Sequence, residues 1–405
     1  MKIFFICNKS PYPHHEGGPI AMNRLIEGML RRGHEVKVLA INSHKYNVNP
    51  EDVPENYREK TGLELHYLDL AIKPWAAFKN LFTSRSYHVE RFISESFRNR
   101  IIRILKEHEF DVVQMEMLYI APYIDTIRKY SKAPIILRAH NIEHEIWDRV
   151  RETTQNPLKK WYLMHITRTL KSYEVNVLPR FDGIASITRR DANALEKYVS
   201  SNKIIDIPFG IYPEQYDISD ADEWNFPSLF HIGSMNWMPN EEGVKWFIDK
   251  AWPLVHQKHP DVKLFLAGRH MPQWLKKLDI KNIEVVGEVK SAEDFINSMG
   301  VMIVPLLSGS GIRIKIIEGM AAAKPIVSTS VGAEGISCTS GKDIMLGDSP
   351  EQFSNAISEL LNNKQKAVQL GAEARKLIEK AYNNDKIAAR LEEFYKKIIK
   401  AKASY

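Results

Sequence analysis

Short apolar segments alternate with longer amphipathic ones, and the alternation runs twice along this chain. The first run comprises 2–8 "KIFFICN", 34–41 "HEVKVLAI", 63–70 "LELHYLDL", 111–117 "DVVQMEM", 134–141 "PIILRAHN", 183–188 "GIASIT" and 203–209 "KIIDIPF". Most of the intervals have helical periodicity, including a first helix over about 19–32. The second run starts at 228–234 "SLFHIGS" and continues with "VKLFLAG", "IEVVGEV", "VMIVPLL" and "PIVSTS". Between these lie predicted helices over about 240–258, 272–279, 291–299 and 312–323, and three more helical patterns close the chain. Near-continuous apolar strands separated by helices are the signature of parallel sheets covered on both faces. The stretch "PEQYDISDADEWNFP" (213–227) breaks the rhythm, is acidic and proline-bracketed, and reads as a domain linker. The expected architecture is two doubly wound Rossmann-like α/β domains facing a cleft. Residues 1–210 form the first and 211–384 the second, with a last helix at about 385–405 packing back on the first. Ligands of such sheets bind beyond the carboxyl ends of the strands.

The length of 405 residues exceeds what one core usually supports, in agreement with two domains. No stretch of about 18 apolar residues occurs, so no transmembrane helix is predicted. The N-terminus reads as a buried strand rather than a signal peptide. Two cysteines, Cys7 and Cys338, argue against a disulfide framework and for a reducing, cytoplasmic setting. The net charge of +6 is uneven. Residues 1–207 hold 32 Lys+Arg against 25 Asp+Glu, and the remaining residues hold 24 against 25. A basic first half suits an anionic partner or membrane surface, or is an ordinary solvated surface.

The residues with most chemical content are "SGSGIRIKIIEGMAAAKPIVSTSVGAEGI" (308–336). Gly309 and Gly311 precede a helix predicted to begin near Ile312, with Arg313 and Lys315 in its first turn. A helix N-terminus attracts anions, and glycines let backbone approach a phosphate. Lys315 and Glu318 share a helix face. The set suits a diphosphate with a neighbouring polyol. It equally describes a capped helix with a surface ion pair.

This stretch resembles the nucleotide-sugar signature of retaining glycosyltransferases of family 4, which have the two-domain GT-B fold. Five other segments resemble family segments in the right order: "EGGP" (16–19), "LRAHNIEHE" (137–145), "GSMNWMPNEEGVKWFIDKAWPLV" (233–255), and the "LFLAGRH" and "VVGEV" strands. The pattern is closest to a branch with G-x-G-x-R-x-K-x-x-E. Two family features are missing. Ser310 stands where a first glutamate is common, and the loop "GSMNWMPN" lacks the usual arginine and lysine.

The resemblance implies transfer of a sugar from a nucleoside-diphosphate donor, UDP favoured over GDP, to an acceptor hydroxyl in cell-envelope or exopolysaccharide synthesis. It implies His140, Arg313 and Lys315 as catalytic residues. Donor contacts would come from Gly17, Gly18, Gly233, Ser234, Gly268, Arg269, Gly287, Val289, Ser310, Gly311, Ile312 and Glu318. Glu143 and His144 would either orient the acceptor or cap the helix that follows. Neither a cofactor nor a metal is expected. His14 and His15 have no ligand-spaced partners, and the D-x-D of 220–222 falls in the linker. Nucleic acid is not an expected partner. Although "WYLMHITRTLKSY" (161–173) mixes aromatics with cations, it also reads as an amphipathic helix at a lipid surface or a half-buried core helix. The competing functions are a nucleotide-sugar epimerase of the same fold and a non-catalytic partner subunit.

Overall fold

The computed structural model describes residues 1–13, 17–309 and 311–403, so His14, His15 and Ser310 lie outside the described residues. The chain divides into two compact units, Met1–Gly210 with Asn384–Tyr405, and Ile211–Asn383.

The first unit holds seven parallel strands: β1 (Lys2–Cys7), β2 (Glu35–Asn42), β3 (Glu64–Tyr67), β4 (Val112–Glu116), β5 (Ile135–Ala139), β6 (Gly183–Ser186) and β7 (Ile204–Asp206). Their order is β3-β2-β1-β4-β5-β6-β7. The period of two places alternate residues of β1 in different cores. Phe4 and Ile6 pack with Val113, Met115, Ile101 and Ile104, whereas Ile3, Phe5 and Cys7 pack with Met22, Leu25, Val38 and Ile136. Burial on both faces is why these strands read as unbroken apolar runs. Each fully buried Phe or Ile contributes roughly 1.5–3 kcal/mol. The helix Asn384–Ala403 completes the second of these cores with Ile387, Leu391, Phe394, Tyr395 and Ile398.

The second unit holds six parallel strands: β8 (Asn225–Ile232), β9 (Lys263–Ala267), β10 (Ile283–Gly287), β11 (Met299–Val304), β12 (Ile326–Ser328) and β13 (Met345–Leu346), in the order β10-β9-β8-β11-β12-β13. β13 has only two residues, too few for a sequence pattern. The helix predicted over 240–258 is interrupted. Met238–Trp246 passes through a π-helical turn, Phe247–Ala251, into Trp252–Lys258. Pro253 has no N–H to continue the α-helical ladder, which accounts for the wider turn.

The stretch 213–227 is not a free linker. Its end is the start of β8, and its middle is pinned by Lys324. That buried amino group donates to Ser219 Oγ (3.1 Å), Asn297 O (2.8 Å) and Met299 O (3.1 Å), and lies 4.0 Å from the Trp224 ring centroid. Burial pushes its pKa down to about 7. Within the same stretch, Asp220 accepts from Asp222 N, and the Asp222 carboxylate pairs with Lys364 at 2.8 Å. The D-x-D carboxylates thus serve a turn and a surface ion pair.

In both sheets the order in which strands are added reverses at one place, between β1 and β4 in the first and between β8 and β11 in the second. Such switch points leave a crevice at the strand carboxyl ends, because the crossover helices leave on opposite faces.

Candidate active site

In the second unit the carboxyl ends of β8 and β11 carry a polar cluster. β8 runs out at Ile232, and Gly233 N donates to Ala267 O at 3.1 Å. A Cβ at Gly233 would stand 2.4 Å from Lys315 Nζ and 2.9 Å from Asn240 Nδ2, so the glycine makes room for the ammonium. Gly268, at φ 143°, would place a Cβ 1.8 Å from Gly233 O, so no side chain fits there. Gly268 N in turn donates to Gly287 O at 2.7 Å. Ser234 Oγ donates to Asn236 Oδ1 (2.7 Å), and Arg269 pairs with Glu288 at 3.0 Å in an exposed ion pair. Val289 follows the last strand residue, Gly287, by two positions and is half-buried.

The helix after β11 is Ile314–Ala321, two residues later than the sequence suggested, and Arg313 is its N-cap. Arg313 does not reach around the helix end. It is buried and folds back on its own loop, donating to Gly311 O and to Val331 O (3.3 Å), with the guanidinium 5.9 Å from the Trp237 ring. Gly311, at φ 75°, supplies the left-handed turn that permits this. Its neighbour Ile312 is half-buried.

Lys315 turns inward. Its Nζ donates to Asn240 Oδ1 at 2.7 Å and lies 3.5 Å from His231 Nε2. Burial pushes its pKa down to about 7, Glu318 one turn on pulls it up, and Arg313 pushes it further down. His231 is fully buried, with Nδ1 3.0 Å from Ile303 O. A carbonyl can only accept, so Nδ1 carries the proton and Nε2 is bare toward Lys315. Burial, with Lys315 next in weight, holds this ring well below the ordinary histidine pKa.

Sequence reasoning missed His231, Asn240 and Trp237. His231 interrupts the apolar run "SLFHIGS" near its end, a signal that could have found it. Asn240 and Trp237 have no such signal, because their role arises only where the loop after β8 meets the helix after β11.

In the first unit His140 follows β5 directly and is buried, with Nε2 2.6 Å from Glu116 Oε2. Gly17 and Gly18 open the helix Gly17–Arg31, which follows β1. Glu143 and His144 open the helix Glu143–Thr153, whose cap is neither of them. The buried carboxylate of Glu174 accepts from Glu143 N and His144 N, both at 3.1 Å, and lies 2.6 Å from His144 Nδ1. Glu143 itself accepts from the Tyr119 hydroxyl at 2.6 Å. Burial pushes its carboxyl up to about 7, with Tyr119 opposing and Glu174 adding to the rise. No group of three or more His, Cys, Asp or Glu able to hold a metal ion occurs among the described residues.

Comparison with known families agrees over both units. Residues 17–215 match the model described as Glycosyltransferase Family 4, and residues 226–363 the model described as Glycosyl transferases group 1. The chain is a GT4-like glycosyltransferase of the GT-B fold. This glycosyltransferase is 23% identical over 396 residues to a Klebsiella pneumoniae protein described as "Uncharacterized 44.6 kDa protein in cps region", covering 95% of this chain and 97% of that one. Its fold is similar to that of a sucrose-phosphate synthase from Thermosynechococcus elongatus, with a TM-score of 0.70, 14% identity, and coverage of 99% and 100%. It is also similar to Anabaena Alr3699/HepE in complex with UDP, with a TM-score of 0.67, 13% identity, and coverage of 97% and 99%. The same Anabaena protein has been solved with UDP-glucose.

Proposed function

We propose that this enzyme is a metal-independent retaining hexosyltransferase that uses a nucleoside-diphosphate sugar, UDP favoured over GDP. The second unit would take the donor and the first the acceptor. The observation that carries this reading is the cluster of Lys315, Asn240, His231 and Arg313 at the switch point of the second sheet, on the N-terminus of a helix with Glu318 one turn on. A helix N-terminus with two cations beside it is an anion site, and a carboxylate one turn away suits ribose hydroxyls. The UDP and UDP-glucose complexes of the similar Anabaena protein support UDP as donor nucleotide. The cps-region relative supports an envelope or exopolysaccharide acceptor.

In the proposed front-face reaction the acceptor oxygen bonds to the sugar's anomeric carbon as the bond from that carbon to the diphosphate breaks. The acceptor proton passes to the departing phosphate oxygen. Lys315, Arg313 and the helix N–H groups stabilise the charge on the leaving diphosphate. Gly17, Gly18, Gly311 and Ile312 lend backbone N–H groups to the donor phosphates, Glu318 holds the ribose, and His140 holds the sugar.

Titration with UDP and UDP-sugars tests this reading. A nucleotide at 100-fold over its Kd raises the unfolding free energy by about 2.7 kcal/mol. Glu318→Ala should weaken UDP by roughly 1–3 kcal/mol, the loss of charge-assisted hydrogen bonds. Absence of nucleotide binding would favour the partner-subunit reading, and donor turnover without any acceptor would favour an epimerase.

The acceptor side carries a second proposal, action in the cytoplasm at the inner face of an anionic membrane on a lipid-linked or envelope glycan. No helix among the described residues is long and apolar enough to cross a membrane. Two segments far apart in sequence nevertheless form one amphipathic surface. The helices Pro74–Asn80 and Pro157–Val177 are joined by His165 Nε2 and Asn80 O at 3.2 Å, and by packing among Ala77, Tyr87, Tyr162 and Ile166. Around this seam Trp75 (67% exposed), Phe78, Phe82, Leu158, Trp161 (56%) and Met164 face solvent, interleaved with Lys73, Lys79, Lys159 and Lys160. Aromatic anchors among lysines suit an anionic interface, where each cation contributes about 1 kcal/mol. The protein should sediment with anionic vesicles at low salt, be released at about 0.5 M salt, and bind more weakly after Lys159→Glu with Lys160→Glu. No sedimentation at any ionic strength would refute the membrane contact.

A further inference from the structure

His140 stands at the end of a hydrogen-bonded chain that runs along one face of the first sheet. The Tyr395 hydroxyl, on the helix Asn384–Ala403, donates to Gln114 Oε1. Gln114 Nε2 donates to Glu116 Oε1, and Glu116 Oε2 lies 2.6 Å from His140 Nε2. All four side chains are buried. Register places Cys7, Glu116 and Arg138 side by side on β1, β4 and β5. The fully buried Arg138 guanidinium, which donates to Ser186 O at 3.3 Å, is therefore the cation next to Glu116, and Cys7 is a buried thiol on its other side.

We infer that Glu116 is a positioning residue that fixes the tautomer and orientation of His140, so that Nε2 carries a proton and Nδ1 is the atom left for substrate. The inference deepens the reading above and rests on its assignment of His140 to the transferred sugar. A carboxylate only accepts, so Gln114 must turn its amide nitrogen toward Glu116, which leaves Gln114 Oε1 for the Tyr395 hydroxyl. The second carboxylate oxygen then obliges His140 to donate through Nε2. Glutamate accepts at both ends of this position, and glutamine of the same size does not. In Glu116→Gln the amides of Gln114 and the new glutamine can turn over together, because the Tyr395 hydroxyl accepts as well as donates, so His140 can meet either an oxygen or an NH₂ and its tautomer is no longer fixed. A carboxylate whose only task was to pair with Arg138 would leave the tautomer unaffected.

Nitrogen-15 spectra of the histidines in the intact protein, with His140 assigned by its loss in His140→Gln, read the tautomer without disturbing the fold. Protonated Nε2 is the expected result, and a bare Nε2 with protonated Nδ1 overturns the inference. Glu116→Gln should leave His140 as a mixture of tautomers and lower kcat roughly 10-fold to 100-fold, the scale of one hydrogen bond lost in the transition state. The donor KM should change by less than about threefold. Adding His140→Ala to Glu116→Gln should cost no more than His140→Ala alone, because the two act as a unit. Wild-type turnover in His140→Ala would overturn the role of His140 itself. An inactive His140→Ala beside a fully active Glu116→Gln would overturn only the positioning role of Glu116.

Discussion

Lys315→Ala and Arg313→Ala should each lower kcat by about 10²–10³, with a smaller rise in donor KM. Negative charge grows on the diphosphate as the glycosidic bond breaks, so a fixed cation stabilises the transition state more than the bound donor. Loss of one such contact costs about 3–4 kcal/mol in comparable anion-stabilising sites. The two residues act differently. Lys315 presents an ammonium 2.7 Å from Asn240 in the space left by Gly233. Arg313 is buried and holds the carbonyls of Gly311 and Val331, so its loss also loosens the loop before the helix. Arg313→Lys keeps the charge without the forked donors and should recover only part of the rate. Steady-state kinetics with a UDP-sugar checks this, and a double alanine variant with wild-type turnover would place the anion site elsewhere.

If UDP is the donor nucleotide, as proposed, its binding at pH 8 should take up close to one proton, and its Kd should rise roughly tenfold or more between pH 7 and pH 9. The cause is Lys315. Burial pushes its pKa down to about 7, and of the charged neighbours Glu318 pulls it up while Arg313 pushes it down. His231, at 3.5 Å, is held neutral and adds no charge. Without ligand the amine is therefore mostly neutral at pH 8. A diphosphate favours the charged form, so binding is tightest where the free protein is already protonated, below about pH 7. Above that pH, binding must draw a proton from solution, and affinity falls as pH rises through the range between the free and bound pKa values. A phosphate's own second ionisation, near pH 6, lies below this window. Calorimetry in two buffers of different ionisation enthalpy measures the uptake. Lys315→Met should abolish it, and uptake that persists in that variant would assign the proton to another group.

The two-sheet α/β class was legible in the sequence because each strand is buried on both faces. Phe4 and Ile6 enter one core while Ile3 and Phe5 enter the other, so β1 appears as an unbroken apolar word. The glycines and cations of 308–315 were legible for a related reason, since a Gly-rich loop opening a helix is local in sequence. Local readings failed where a distant group supplied the partner. Lys315 and Glu318 looked like a pair on one helix face, but the ammonium turns to Asn240 and His231, 75 and 84 residues away. The 213–227 stretch reads as a domain linker, but Lys324, about a hundred residues on, pins its middle. For Glu143 and His144 the sequence leaves open an acceptor contact or a cap of the following helix, and the cap comes from Glu174. The chain from Tyr395 to His140 joins residues 281 apart at its first step.

Near neighbours along the chain fix where the longer strands and helices fall and which loop carries glycines and cations, because periodicity and backbone freedom are local properties. Which groups share a proton, a charge or a seam follows only from packing. A side chain's pKa, tautomer and exposure are set by whatever is packed within a few ångströms of it, and in a parallel sheet those neighbours come from strands a crossover or more away.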